Sequence, residues 1–133
     1  MKNTLAIIKP DAMKKGYKDD IRNEIKKNGF TIVEEKTLHM TNAHAEGFYA
    51  IHKDKPFFGE LIEFMTSHES HIMKLEKENA VVEWRNLMGA TDSTKADPGT
   101  IRATYGTDIS MNATHGSDSD ENAQIEIEYF FHD

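Results

Sequence analysis

His115 is the residue whose surroundings leave its chemistry most open. It lies in Asn112-Ala113-Thr114-His115-Gly116-Ser117-Asp118-Ser119, among glycine and small polar residues just ahead of a helix start. Little stands nearby for the ring to pack against. Gly116 lets a ligand come close to the backbone, and the capping hydroxyls and N–H groups of a helix N-terminus favour anions. An imidazole there can act as a nucleophile, or be a surface histidine beside a helix cap. Glu126 bears on that choice, because it borders the apolar stripe of Ala123 and Ile127 and reads as half-buried. A carboxylate that holds one ring nitrogen leaves the other lone pair aimed and more nucleophilic. The alternative is an ordinary solvated glutamate.

Composition narrows the field. The chain of 133 residues has no cysteine, which excludes thiol nucleophiles, disulfides and thiolate metal sites. Sixteen basic residues against 23 acidic ones give a formal charge of −7. That balance opposes bulk attraction to nucleic acid or to an anionic membrane. Only three residues are arginines, Arg22, Arg85 and Arg102, so an anion site must gather cations locally. The expectation is a small positive pocket on an acidic surface.

Rival motifs fail on their own chemistry. Asp118, Asp120 and Asn122 imitate the start of a calcium loop, but Ala123 and Tyr129 stand where glycine and glutamate are required. No Gly-x-x-x-x-Gly-Lys occurs. His68 and His71 have no third ligand beside them and read as ordinary surface histidines. Met40, Met65, Met73 and Met88 read as core filler.

The length suits one domain, residues 1–133, with a real core. No run approaches the roughly 20 apolar residues that span a bilayer. The start lacks a small-residue cleavage site, so a signal peptide is not expected and the cytoplasm is the default.

The elements that must position the site follow from pattern. Residues 4–8 read as a buried strand ended by Lys9-Pro10-Asp11. A helix opens at Asp19-Asp20, carries Ile21 and Ile25, and closes with Lys26, Lys27 and Gly29. Residues 30–38 form a second strand. Thr41 or Asn42 caps a helix carrying Tyr49, and after Pro56 a second helix bears a stripe of Phe57, Leu61, Phe64 and Met65. Residues 71–76 form a third strand, and residues 80–88 a short helix stopped by Gly89. Residues 90–111 read as a long functional loop with a short fourth strand near its end. Asp118 or Ser119 then caps a last helix with Ala123, Ile127, Phe130 and Phe131 inward. This order predicts an α+β fold of ferredoxin-like split-βαβ type, a four-stranded antiparallel sheet covered by helices.

With these stretches in place, the sequence resembles the nucleoside diphosphate kinase family over nearly its whole length. Asn112 to Ser119 resembles the active-site signature, and Ile7-Ile8-Lys9-Pro10-Asp11 the first strand with its lysine. Tyr49 with Lys55-Pro56-Phe57-Phe58 and Leu61 resembles the base-receiving segment. Arg85-Asn86-Leu87-Met88-Gly89-Ala90-Thr91 and Pro98-Gly99-Thr100-Ile101-Arg102 resemble the two phosphate-contacting stretches.

The resemblance implies ping-pong transfer of a γ-phosphoryl group from ATP or another nucleoside triphosphate to a nucleoside diphosphate, through a phosphohistidine. It implies His115 as nucleophile through Nδ1, with Glu126 and Ser117 orienting its ring. Arg85, Arg102 and Thr91 would clamp the phosphates. Lys9 and Asn112 would hold sugar hydroxyls and a bridging oxygen, with Tyr49 positioning Lys9. Phe57 would stack on the base, with Leu61 and Ile109 packed around it. Mg2+ would ride on the phosphates with no direct protein ligand, Asp118 assisting through water. A homo-oligomer, tetramer or hexamer, is also implied, with no membrane and no specific nucleic acid as partner. The chain departs from the family at Ser67-His68-Glu69, Asp92-Ser93 and Met111, and stops at Asp133 where many relatives continue. None of these is a catalytic position, and they bear on assembly and stability.

Overall fold

A computed structural model describes residues 1–109 and 111–131. The apolar run at the start forms β1 (Lys2–Ile8), and the chain does not simply break at the proline after it. Pro10 instead opens a short helix, α1 (Pro10–Lys14), where its missing N–H is one the helix could not use anyway. α2 (Lys18–Lys27) has Asp19 and Asp20 in its first turn and two lysines in its last, and Gly29 follows at φ +88°. β2 (Thr31–Leu38) precedes α3 (Asn42–Phe48), whose cap is Thr41, its hydroxyl accepting the His44 N–H at 3.1 Å. Tyr49 falls just past that helix and starts a 3₁₀ turn over Ala50–His52.

α4 (Phe58–Met65) begins one residue later than its apolar stripe implied, leaving Phe57 as an exposed cap. β3 (Ser70–Lys77) and α5 (Ala80–Met88) follow the pattern, Gly89 ending the helix at φ +87°. The expected long loop is partly ordered: it holds a 3₁₀ turn, Ser93–Lys95, and a helix, α6 (Ile101–Tyr105). Thr100 caps α6 by accepting the Ala103 N–H, a signal lost among the surrounding Pro, Gly and Thr. β4 (Thr114–Gly116) has only three residues, and α7 (Asp120–Phe130) is capped by Ser119, not Asp118.

All pairings are antiparallel in the order β2-β3-β1-β4, the ferredoxin-like arrangement. β1 is central, and its alternation feeds two cores. Leu5 and Ile7 face one with Ile72, Ala123, Ile127 and Phe130. Ala6 and Ile8 face the other with Met73, Leu75, Trp84 and Met88. Helices therefore cover both faces. Among the described residues no helix is long and apolar enough to cross a membrane.

β4 pairs with β1 through Ile7 and His115, so the buried end of β1, Ala6 to Ile8, fixes the backbone of that histidine. The adjacent Gly116 lies under Trp84, whose Nε1 donates to the His115 carbonyl at 3.1 Å. A β-carbon at 116 would sit 2.6 Å from Trp84 Cδ1 and 2.7 Å from Nε1. The indole is buried and cannot yield cheaply. Gly116→Ala is expected to cost about 1–3 kcal/mol of stability, the usual range for overpacking. Thermal unfolding checks this, and an unchanged midpoint would refute the close approach.

Candidate active site

β4 sends His115 to the α7 side of the sheet, where α7 delivers Glu126. His115 Nε2 lies 3.0 Å from Glu126 Oε1, with both side chains about one-fifth exposed. Ser117 Oγ donates to the same oxygen at 2.7 Å and itself accepts the Leu5 N–H at 3.3 Å. A carboxylate can only accept, so Nε2 carries the proton and Nδ1 presents its lone pair. Phe48 meets the imidazole edge-on at 5.4 Å between centroids, and Tyr49 stands perpendicular to it at 6.5 Å. The glutamate reads as half-buried in sequence, and its second neighbour, the buried Ser117, is what holds it.

Lys9 and Asn112 meet across the end of β1. Lys9 Nζ donates to Asn112 Oδ1 at 2.9 Å, while Asn112 Nδ2 donates to the carbonyls of Thr91 (3.0 Å) and Ile109 (3.2 Å). Asn112 thus ties the lysine to two loop segments, and its carbonyl oxygen keeps a second lone pair. Burial lowers the Lys9 pKa to about 8; Asp11 opposes this and Arg102 adds to it. These two residues line a cavity of about 720 Å³ with Tyr49, Phe57, Leu61, Thr91 and Ile109. Every base-side residue expected from the resemblance therefore borders one space. His115, Arg85 and Arg102 are not part of that lining.

Arg102 stands on α6, with Nη1 donating to the Gly89 carbonyl at 3.1 Å and Nη2 to the Thr114 carbonyl at 3.0 Å. Its Nε is buried without a protein partner. Burial, reinforced by the charge of Arg85 on α5, brings its pKa down to about 10. Arg85 acts on Arg102, and Arg102 on the buried Lys9, so the three form a local positive centre in an acidic chain. Arg85 itself is exposed.

The cavity adds three residues that the sequence reading left out, His52, Glu60 and Phe64. His52 follows Tyr49 by three residues on a 3₁₀ turn, a spacing that puts both on one side. Its Nδ1 is buried without a partner. Phe64 reads in sequence as core stripe, yet Lys9 Nζ sits 5.8 Å from its ring centroid. Among the described residues no group of three or more His, Asp or Glu gathers as a metal cage. Asp118 is exposed at the start of α7, with Oδ1 accepting from the Asn122 amide. His71, read above as a surface histidine, is instead buried on β3, with both ring nitrogens engaged, by Thr37 at 2.8 Å and Glu35 at 2.6 Å.

The family model for nucleoside diphosphate kinase matches residues 2–133. A nucleoside diphosphate kinase of Chlamydia abortus is 53% identical over 131 residues, covering 98% of this chain and 93% of that protein. One from Trichlorobacter lovleyi is 49% identical, covering 98% and 95%. The Aquifex aeolicus nucleoside diphosphate kinase structure superposes with a TM-score of 0.95 at 44% identity, covering 98% of this chain and 94% of that one. A halophilic nucleoside diphosphate kinase from Halobacterium salinarum, solved in complex with CDP, gives 0.95 at 39% identity, covering 99% and 88%. Fold, length and sequence agree, and the chain belongs to the nucleoside diphosphate kinase family of phosphotransferases.

Proposed function

We propose that this chain moves the γ-phosphoryl group of a nucleoside triphosphate to a nucleoside diphosphate by a ping-pong route through phosphohistidine at His115. The observation that carries this reading is the bonding of one imidazole. Nε2 is held by Glu126 Oε1, which Ser117 also holds, and Nδ1 is left as the reactive lone pair.

In the first half-reaction the Nδ1 pair forms a bond to the γ-phosphorus. The bond from phosphorus to the bridging oxygen breaks, and the diphosphate leaves with that electron pair. In the second, a terminal β-phosphate oxygen of another diphosphate attacks the same phosphorus, and the phosphorus–nitrogen bond breaks. Glu126 stabilises the imidazolium character that Nε2 gains when Nδ1 is substituted. Arg102 and Arg85 face the charge spread over the transferred oxygens, where fixed cations act most strongly. Lys9 and the free lone pair of Asn112 Oδ1 receive sugar hydroxyls and the bridging oxygen, with Tyr49 walling the lysine. Phe57, with Leu61 and Ile109, takes the base by its face, which every base has. Mg2+ on the β- and γ-phosphates would supply charge neutralisation, with Asp118 as the side chain that would assist through water.

Incubation with γ-labelled ATP and no acceptor tests the reading. One acid-labile phosphate should appear per chain and discharge when a diphosphate is added. Release of free phosphate without a labelled protein would overturn it.

The buried lysine adds a pH dependence. Lys9 binds anionic substrate as a cation and loses its proton above about pH 8 in the free protein. kcat/KM should therefore fall as pH rises through 8, approaching tenfold per unit. A flat profile between pH 7 and 9.5 would remove Lys9 from substrate binding. We propose further that copies of this chain assemble as dimers into a tetramer or hexamer and work in the cytoplasm; native mass spectrometry decides the copy number.

A further inference from the structure

Ala113, two residues before His115, has a backbone shape that alanine rarely takes. It is fully buried, and its φ is +73°. The Thr114 N–H donates to the Asn112 carbonyl at 2.9 Å, closing a γ-turn around it. A γ-turn with positive φ at its centre is rare and strained, and such conformations persist only where the surroundings over-determine them.

The surroundings here are the junction of β1 and α1. The Lys9 N–H donates to the Ala113 carbonyl at 2.8 Å, and Asp11 Oδ2 accepts the Ala113 N–H at 3.1 Å. Both polar groups of the strained residue are therefore held by one three-residue stretch. Pro10 lies between them and fixes φ where the chain turns into α1, so the carboxylate is delivered from a stiff support. Asp11 is buried, and its Oδ1 has no protein partner. The carboxylate also faces the Lys9 charge and the N–H groups of Asp11 and Ala12 at the start of α1, which hold it where it meets Ala113.

The turn also links the active-site parts. Asn112 on one side holds Lys9, Thr91 and Ile109, Thr114 on the other has its carbonyl held by Arg102, and His115 follows. We propose that Asp11 is a positioning residue that locks the left-handed turn at Ala113 and so sets the angle between Asn112 and His115. This rests on the phosphohistidine reading above and names a residue that reading does not use. Asp11 touches no substrate. It acts on the turn through the Ala113 N–H, and its charge also bears on Lys9.

The test combines Asp11→Ala, Asp11→Asn, Ala113→Gly and the double variant Asp11→Ala/Ala113→Gly. Glycine takes φ +73° without steric cost, so it removes the need for a lock. Asp11→Ala should lower kcat by about 10- to 100-fold, the span that one strained backbone conformation corresponds to, with KM changed less than about threefold. Ala113→Gly in the Asp11→Ala background should return at least about fivefold of that loss. A plain structural role would give no such rescue and no kcat-against-KM split.

Asp11→Asn keeps an acceptor oxygen, so at pH 7 it should lie nearer the wild type than Asp11→Ala does. It also serves if the alanine variant fails to fold. The Ala113 amide proton, bonded to a carboxylate, should resonate downfield and move upfield in Asp11→Ala. Asp11→Ala within twofold of wild-type kcat, or a double variant no better than the single, would overturn the proposal. A folded Asp11→Asn with the kcat that alanine gives would do the same. If the wild type forms no phosphoenzyme, the functional reading fails, while the Ala113 resonance still judges the turn separately.

Discussion

His115→Ala is expected to lower nucleoside diphosphate kinase activity by about 10⁴-fold or more, the scale on which removal of a covalent nucleophile acts. The chain offers no substitute. It has no cysteine, and the Ser117 hydroxyl is committed to Glu126 on one side and to the Leu5 N–H on the other. Nucleotide affinity should change only a few-fold, because the cavity proposed to take base and sugar is not lined by His115. This split is what separates a nucleophile from a structural histidine. The fold should also survive, since β4 is held to β1 by backbone pairing and to Trp84 through the His115 carbonyl. A coupled assay together with equilibrium nucleotide binding reads both quantities. More than about 1% residual turnover in a folded protein would contradict a covalent route at this position.

Arg102→Ala carries the second large effect, and it should appear in two measurements at once. Removing a fixed donor that faces developing charge costs about 10²- to 10³-fold in kcat. The same guanidinium also holds the carbonyls of Gly89 and Thr114, where α5 ends and β4 begins. The Thr114 carbonyl belongs to a buried residue, and a buried polar group left unpaired costs about 1–3 kcal/mol. A fall of several degrees in Tm should therefore accompany the loss of rate. Arg102→Lys keeps a charge but cannot make both bonds in the same fork, so it should recover part of the stability and less of the rate. A variant with wild-type Tm and a thousandfold loss would mean that the clamp and the strut are separable. Wild-type kcat would take Arg102 out of transfer altogether.

Most of the candidate site was legible because its parts are side chains of distinctive type at distinctive positions. His115 and Glu126 meet as their places in sequence suggest, Ser117 joins them as the resemblance implies, and Lys9 reaches Asn112 across more than a hundred residues. What escaped was backbone. Alanine carries no mark of a positive φ, so the turn at Ala113 could not be read from its letter. Pro10 reads as the end of a strand and serves equally as the first residue of a helix. α6 has only five residues inside a stretch rich in turn formers, and its packing through Ile101 and Arg102 outweighs local preference. His52 and Phe64 were hidden differently: each has an ordinary role elsewhere, and only the shared cavity gives them another.

β4 stops at Gly116, and beyond it the Leu5 amide is met by a hydroxyl instead of a strand. The exchange of that amide proton with solvent deuterium is therefore controlled by a side chain that also holds the carboxylate behind the His115 ring. Leu5 is fully buried in the middle strand and would otherwise be silent. It becomes a built-in gauge: its protection measures whether Ser117, Glu126 and His115 are still in line, without touching the reaction itself.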